Sequence, residues 1–209
     1  MQLKEIVKAM VLMRPVNCLI TMLVVFTGYF SAVQPGAETA IMFNQLLLVG
    51  LAAFFIAAAG NIHNDIIDIE IDKINKPNSP LPKGNISRIN ASSAFIIFAL
   101  SGLAAGYRAG KVFFIGALSV LALLVLYNLY IQRTLIYGNF LIALIGAFTF
   151  IYGGLLSISW ELSIIPAIFA FLIHFAREIV KDAEDMEGDR RAGMRTIAIV
   201  DGEATSRKA

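Results

Sequence analysis

The sequence predicts an all-α helical bundle built into a membrane, and three observations predict it. Of its 209 residues, 58% are hydrophobic and only 15% are charged, whereas a soluble domain carries about 45–50% apolar and about 25% charged residues. The mean hydropathy is +0.75, and a soluble chain of this size has too little polar surface to cover such an interior. The apolar residues also fall into runs of about 20, the length needed to cross a bilayer as a helix. A soluble bundle of very apolar helices is the competing reading, and the length of the runs argues against it.

Six segments qualify as spans. The first, Val11–Val33, follows Lys4 and Lys8 and carries Arg14, Pro15 and Asn17 near its start. Its Cys18 is the single cysteine of the chain, which excludes an internal disulfide framework and a cysteine metal cluster. It reads as a packing residue. No small-residue cleavage site follows a short apolar core, so no cleaved signal peptide is expected. The second span, Gln45–His63, runs directly into an acidic segment. The third and fourth, Ala91–Tyr107 and Val112–Ile131, are joined by a tight connection holding Arg108 and Lys111. The fifth, Gly138–Ile158, has Gly146, Gly153 and Gly154 within Leu141–Gly154, small residues of the kind that pack membrane helices closely. The sixth, Leu162–Ile179, ends in a second acidic segment. His63 and His174 have no matching metal-ligand set around them and read as packing or hydrogen-bonding groups. Gly84 and Gly193 read as turn residues.

Charge placement sets the orientation. An even number of spans puts both ends of the chain on one side. Of the 17 Lys and Arg residues, only Arg108 and Lys111 fall on the other side. The positive-inside rule therefore predicts a multi-pass protein of the cell membrane with both termini in the cytoplasm. The net charge of +2 is too small to point to nucleic acid.

The two acidic segments carry the chemistry. Asp65, Asp68, Glu70 and Asp72 align without gaps with Asp182, Asp185, Glu187 and Asp189, so the chain repeats a site and not only a hydropathy pattern. On a helix, positions i, i+3 and i+7 share a face. Asp65, Asp68 and Asp72 then form one acidic stripe, and Asp182, Asp185 and Asp189 another. Two like charges about 4 Å apart cost on the order of 4 kcal/mol at an effective dielectric near 20. Two such stripes at a membrane boundary call for cations. Carboxylate oxygens suit hard ions, and Mg²⁺ is usually held by one or two carboxylates together with substrate phosphates. Facing stripes can clamp a diphosphate through Mg²⁺ and stabilise it as it leaves. The competing reading is a pair of solvated helix ends in which Lys73, Lys181 and Arg190 pair with the acids.

These residues resemble the UbiA superfamily of intramembrane prenyltransferases. Asn64-Asp65-x-x-Asp68-x-x-x-Asp72 is similar to the first Asp-rich motif of that family and Asp182-x-x-Asp185-x-x-x-Asp189 to its second. Arg14-Pro15-x-Asn17, Lys76-Pro77-Asn78, Pro80-Leu81-Pro82-x-Gly84 and Gly138-Asn139 also fit, so the resemblance covers nearly the whole chain. Asp72-Lys73-Ile74-Asn75-Lys76-Pro77 and Arg177-Glu178-Ile179-Val180-Lys181-Asp182 are most similar to the archaeal digeranylgeranylglyceryl phosphate synthases. Three departures stand out. Ser79 and Gln132 occupy positions where the family usually has Arg and Lys, and six spans are read where the family has about nine. The expectation is one prenyltransferase domain over residues 1–209 that lacks the C-terminal spans.

The resemblance implies Mg²⁺-dependent transfer of a geranylgeranyl group from geranylgeranyl diphosphate to geranylgeranylglyceryl phosphate, a lipid-phosphate acceptor, amid membrane lipids. An aromatic acceptor, as in quinone synthesis, is the alternative within the family. A cation-coupled transporter, in which repeats and acidic groups also occur, and an inactive structural relative are the alternatives outside it. Asp68, Asp72, Asp185 and Asp189 are the expected catalytic carboxylates, and together with Asn64 the expected Mg²⁺ ligands. Asn64, Asp65, Asp182, Lys181, Arg133, Arg14, Asn17, Lys73 and Tyr127 are the expected substrate-binding residues. For the four cations, positive-inside anchoring is the competing role. Tyr127, Tyr130 and Tyr137 are candidates to face the cavity, where a ring stabilises an allylic cation. Interfacial anchoring competes with that role. Glu70 and Glu187 point off the stripes and are expected to be solvated.

Overall fold

The computed structural model describes residues 11–34 and 43–184, the side chains at 133, 135, 136 and 182–184 excepted. Its helices are α1 (Pro15–Ala32), α2 (Phe43–Ile67), α3 (Ile69–Asn75), α4 (Arg88–Ala109), α5 (Lys111–Leu129), α6 (Leu135–Gly154) and α7 (Ile164–Glu184). All but the short α3 are long and apolar enough to cross a membrane. The described residues contain no strand. This agrees with the hydrocarbon environment, in which a helix satisfies its own backbone.

Local chemistry moves several boundaries away from the ends of the apolar runs. The first span starts at Pro15 and not at Val11, because Arg14 has φ 55° and ψ 67°, in the left-handed region. Proline restricts the residue before it and is itself well suited to the first turn of a helix. The second span runs past His63 to Ile67, so Asn64 and Asp65 lie inside the helix. The fifth span closes at Gly154, short of Ile158. The Ser157 hydroxyl there donates to the Ala32 carbonyl at 2.8 Å, which ties the turn to the end of α1.

The glycines of α6 behave as the sequence predicts. A Cβ on Gly153 would fall on the Val25 carbonyl of α1, and a Cβ on Gly28 of α1 would fall on the Phe150 carbonyl of α6. Two backbones thus cross with no room for a side chain. Gly146 seats the His174 ring of α7 in the same way. The interior holds two buried apolar clusters. One, with Leu12, Met13, Cys18, Ala58, Ile62, Leu81 and Ile86, lies toward the end where α2 terminates. The other, with Val25, Val49, Ala109, Phe113 and Tyr152, lies toward the opposite end. The loop from Lys76 to Ser87 returns to the first cluster through Leu81 and Ile86, and Ser87 caps α4 by accepting from the Asn90 amide at 3.1 Å. Gly84 has φ 70°, as a turn glycine should.

The crossing of α1 and α6 makes a direct prediction. Gly28→Val and Gly153→Val must force the two backbones apart, which costs about 3 kcal/mol or more. Gly84→Ala meets no atom and costs only its left-handed backbone, about 1 kcal/mol. Thermal unfolding in detergent micelles should rank Gly84→Ala well above the other two. A wild-type midpoint for Gly28→Val would contradict the crossing.

Candidate active site

The second span does not continue as one helix through the acidic segment. Asp68 sits between α2 and α3 with φ −90° and ψ 10°, the sparsely populated bridge region. Hydrogen bonds flank the break on both sides, from the Asp68 amide to the Asn64 carbonyl at 2.9 Å and from the Asp72 amide to the Asp68 carbonyl at 2.7 Å. The predicted stripe of Asp65, Asp68 and Asp72 is therefore divided. Among the described residues no three His, Cys, Asp or Glu side chains gather as a metal cluster.

Asp68 turns toward α5 and its following turn. Asn64 Nδ2 donates to Asp68 Oδ2 at 2.7 Å, and Gln132 Nε2 donates to Asp68 Oδ1 at 2.8 Å. Asn64 Nδ2 also lies 3.2 Å from Gln132 Oε1 and 3.4 Å from Asn128 Oδ1. Asn128, 2% exposed, donates in turn to His63 Nδ1 at 2.9 Å, and the His63 ring packs on Phe95. Both carboxylate oxygens of Asp68 are thus held by amide donors, and each keeps acceptor capacity for another partner. Burial pushes the Asp68 carboxyl above its ordinary pKa, and neighbouring Asp72 pushes it the same way. The Gln132 hydrogen bond and the charges of Lys181 and Lys76 act against that rise. A cation beside Asp68 would do the same.

Asp65 and Asp72 turn the other way. Both are buried, and both line a recess with Arg14, Lys76 and Ser79. Arg14 Nη2 donates to Asp65 Oδ1, and Lys76 Nζ lies 3.4 Å from Asp72 Oδ1. Arg14 also lines the main cavity, so it stands between the two spaces.

The main cavity measures about 280 Å³ and is walled by α1, α2, α5, α6 and α7. Its polar end collects Arg14 and Asn17 from α1, Asn61 and Asn64 from α2, Tyr127 and Asn128 from α5, and Arg177, Glu178 and Lys181 from α7. The rest of its wall is mainly apolar, and it includes Ala57, Gly60, Ala117 and Gly146 beside larger residues such as Ile56, Leu124 and Ile145. The end of α7 that leads into the second acidic segment therefore faces the same cavity as the end of α2 that leads into the first. Arg177 donates to the buried carboxylate of Glu178 at 2.7 Å.

With this geometry in view, the comparisons with known proteins are specific. The model of the UbiA prenyltransferase family matches residues 19–209. The chain belongs to the UbiA prenyltransferase family. It is a multi-pass membrane protein. Digeranylgeranylglyceryl phosphate synthase of Pyrococcus horikoshii is 38% identical over 197 residues, 93% of this chain and 69% of that protein. Its counterpart in Sulfolobus acidocaldarius is 41% identical over 184 residues, 87% of this chain and 64% of that protein. A solved structure of digeranylgeranylglyceryl phosphate synthase matches with a TM-score of 0.79 at 32% identity, covering 94% of this chain and 69% of that one. A UbiA homolog from Archaeoglobus fulgidus, solved with GPP and Mg²⁺, shares the fold with a TM-score of 0.70 at 20% identity, covering 96% of this chain and 71% of that one. The chain spans about two thirds of the length of the curated relatives it matches.

Within the UbiA fold the predicted residues separate. Asn64, Arg14, Asn17, Tyr127 and Lys181 line the cavity. Asp68 stands at its rim through the bond to Asn64, and Asp65 and Asp72 face the adjoining recess. Lys73 lines neither space. It donates to Glu70 at 2.7 Å on the outer side of α3, one helical turn away, where both side chains are open to solvent. Glu70 is accordingly solvated, as expected. Tyr130 and Tyr137 face outward and not into the cavity, because the chain turns after Leu129. Asp185 and Asp189, like the side chains of Asp182 and Arg133 and the turn at Gly193, lie outside the described residues. Sequence reasoning missed Asn61, Asn128, Gln132, Arg177 and Glu178. A buried amide within an apolar run, as at Asn128, is the signal that was available for one of them. Gln132, noted only for replacing a lysine, holds the Asp68 carboxylate.

The Arg14–Asp65 pair is testable by a double-mutant cycle. Asp65 is buried, but the Arg14 side chain is 36% exposed, so the coupling should be about 1–2 kcal/mol and not the larger loss of a fully buried pair. Unfolding of Arg14→Gln, Asp65→Asn and the double variant in micelles measures it. Strictly additive losses would mean that the two groups do not support each other.

Proposed function

We propose that the chain catalyses Mg²⁺-dependent transfer of a geranylgeranyl group from geranylgeranyl diphosphate to geranylgeranylglyceryl phosphate in archaeal ether-lipid synthesis. One observation carries the reading. A single cavity has an amide- and cation-lined polar end and an apolar shaft behind it. That is the shape of a ligand with a charged head and a hydrocarbon tail. The names of the relatives in Pyrococcus horikoshii and Sulfolobus acidocaldarius support the donor and the acceptor.

On this reading Arg14, Arg177 and Lys181 meet the diphosphate oxygens, with the bidentate or multivalent donation that suits arginine and lysine. Asn17 and Tyr127 border the reacting carbon. Asp68 and Asn64, joined by Asp185 and Asp189 of the second segment, would hold Mg²⁺, while Asp72 stays in the adjoining recess beside Lys76. The donor set is oxygen, as Mg²⁺ requires, and the half-buried Asp68 carboxylate has acceptor capacity left over. Bound there, Mg²⁺ supplies neutralisation of the departing diphosphate. The allylic carbon–oxygen bond breaks with its electron pair leaving on diphosphate. The acceptor hydroxyl oxygen bonds to the freed carbon. Its proton passes to a carboxylate, and we assign Glu178, the buried carboxylate of the cavity wall, to receive it. Gln132 and Asn128 act as positioning residues that fix Asp68 and Asn64. Both termini and the loop from Lys76 to Ser87 face the cytoplasm.

Membranes supplied with labelled geranylgeranyl diphosphate test the chemistry directly. Transfer to geranylgeranylglyceryl phosphate should vanish in excess chelator and return with Mg²⁺. Asp68→Asn should lower turnover by about 100-fold or more, because it weakens stabilisation needed most as diphosphate departs. Glu70→Gln, on the solvated side of α3, should stay within about twofold. Transfer only to an aromatic acid, or full activity in chelator, would overturn the proposal. The orientation has its own test. A cysteine at Lys83 should resist an impermeant thiol reagent in intact cells, and one at Lys111 should react.

A further inference from the structure

We propose that Gly116, Phe148 and Tyr152 form a rigid floor that limits the prenyl donor to about four isoprene units. The inference rests on the prenyl-transfer reading above and assigns a specificity to the same cavity. The floor lies at the far end of the shaft from Asn64 and Asn128. Tyr152 is buried, and its hydroxyl donates to the Phe113 carbonyl at 2.8 Å. Its ring meets Phe113 edge-on at a centroid distance of 5.5 Å and leans on Phe148 at 6.0 Å. Beneath it lies the buried cluster of Val25, Val49, Ala109 and Phe113, so the ring has no space into which to retreat. Gly116 completes the floor from α5. A Cβ there would stand 2.8 Å from Tyr152 Cε2 and 3.8 Å from Phe148 Cζ.

The depth agrees with a definite ligand. Gly116 and Asn128 both line the cavity on α5. The roughly twelve positions between them rise about 18 Å at 1.5 Å per residue, close to the extended length of a chain of about four isoprene units. The path from Ala53 to Asn64 on α2 and that from Tyr152 to Ile142 on α6 give about 16 and about 15 Å on the same rise. Gly116 and Tyr152 meet side by side, so the α5 and α6 walls end together. The shaft above the floor is lined by aliphatic and small residues, among them Ile56, Ala57, Ala117 and Val120, and the floor closes it with the rings of Phe148 and Tyr152.

The experiment uses the full chain in membranes with one acceptor and donors of two, three, four and five isoprene units. Wild-type kcat/KM should peak at four units and fall by about tenfold or more at five, the discrimination that a tight apolar pocket gives. Gly116→Val should move the peak down by one unit. Tyr152→Ala should raise the five-unit donor about tenfold relative to the four-unit donor. A second measurement needs no variant to fold. A three-unit diphosphate with a terminal photoreactive group should label the wild-type chain within residues 113–120 and 148–152. Normal transfer with the same length profile in both variants, or labelling confined to other helices, overturns the floor alone. No transfer and no labelling with any donor overturns the prenyl-transfer reading, and the floor falls with it.

Discussion

Asp68 accepts from Asn64 one turn back on its own span and from Gln132 after the end of another. These two bonds fix the end of α2 against the end of α5 and set the direction in which the backbone bends. Because the bend falls at Asp68, that residue leaves the face that Asp65 and Asp72 still share. Asp65 swings to Arg14 and Asp72 to Lys76. In a hydrocarbon environment polar groups must find partners within the protein. The amides of Asn64, Asn128 and Gln132 form such a closed set beside His63. A polar cluster of this kind belongs at the end of a bundle, and it fixes which end of the cavity is polar.

The opposite requirement shapes the other helices. Space for a cavity in a six-span bundle comes from helices that pack without side chains where they cross and carry small residues where they line the opening. Gly28 and Gly153 let α1 and α6 meet backbone to backbone, which fixes one wall. Ala53, Ala57 and Ala117 line the shaft with little bulk, while Gly60 and Gly146 seat Leu124 and His174 in its wall. The large residues Phe113, Phe148 and Tyr152 gather at its base, supported by one of the two apolar clusters. Small residues thus act twice, as close contacts between helices and as the hollow between them.

Much of the fold was legible because hydropathy is a one-dimensional property and a spanning helix is a local structure. The six spans and the close-packing face around Gly146, Gly153 and Gly154 need no knowledge of distant contacts. The site was legible only in part. The spacing of Asp65, Asp68 and Asp72 correctly marked an acidic segment, but the one-face inference assumed an unbroken helix. The break depends on Gln132 and Asn128, each more than sixty positions away, and no local rule reveals it. Lys73 was assigned by proximity to the motif, yet one turn of helix rotates it to the solvent side. Arg14 was assigned by resemblance, and its ion pair with Asp65 required two spans to be placed against each other.

The mouth of the cavity is nearly neutralised from within. Arg14 meets Asp65, Lys76 meets Asp72, Arg177 meets Glu178, and Lys181 lies near enough to Asp68 to act on its charge. A lone anion entering this site would compete with carboxylates for guanidinium and ammonium groups, leaving carboxylates without partners. A lone divalent cation would compete with the same bases for carboxylates. The carboxylates of Asp65, Asp72 and Glu178 are buried although their bases are partly exposed, so stripping one of its base is costly, whereas exchanging its partner is not. A ligand that brings a cation and an anion in one complex can therefore take the bases onto its oxygens and the acids onto its metal without stranding either. On the proposed reading this favours the magnesium complex of the diphosphate over either component. It also explains why acids and bases alternate around the cavity mouth and the recess beside it instead of forming the single-sign stripe that the acidic spacing alone suggests.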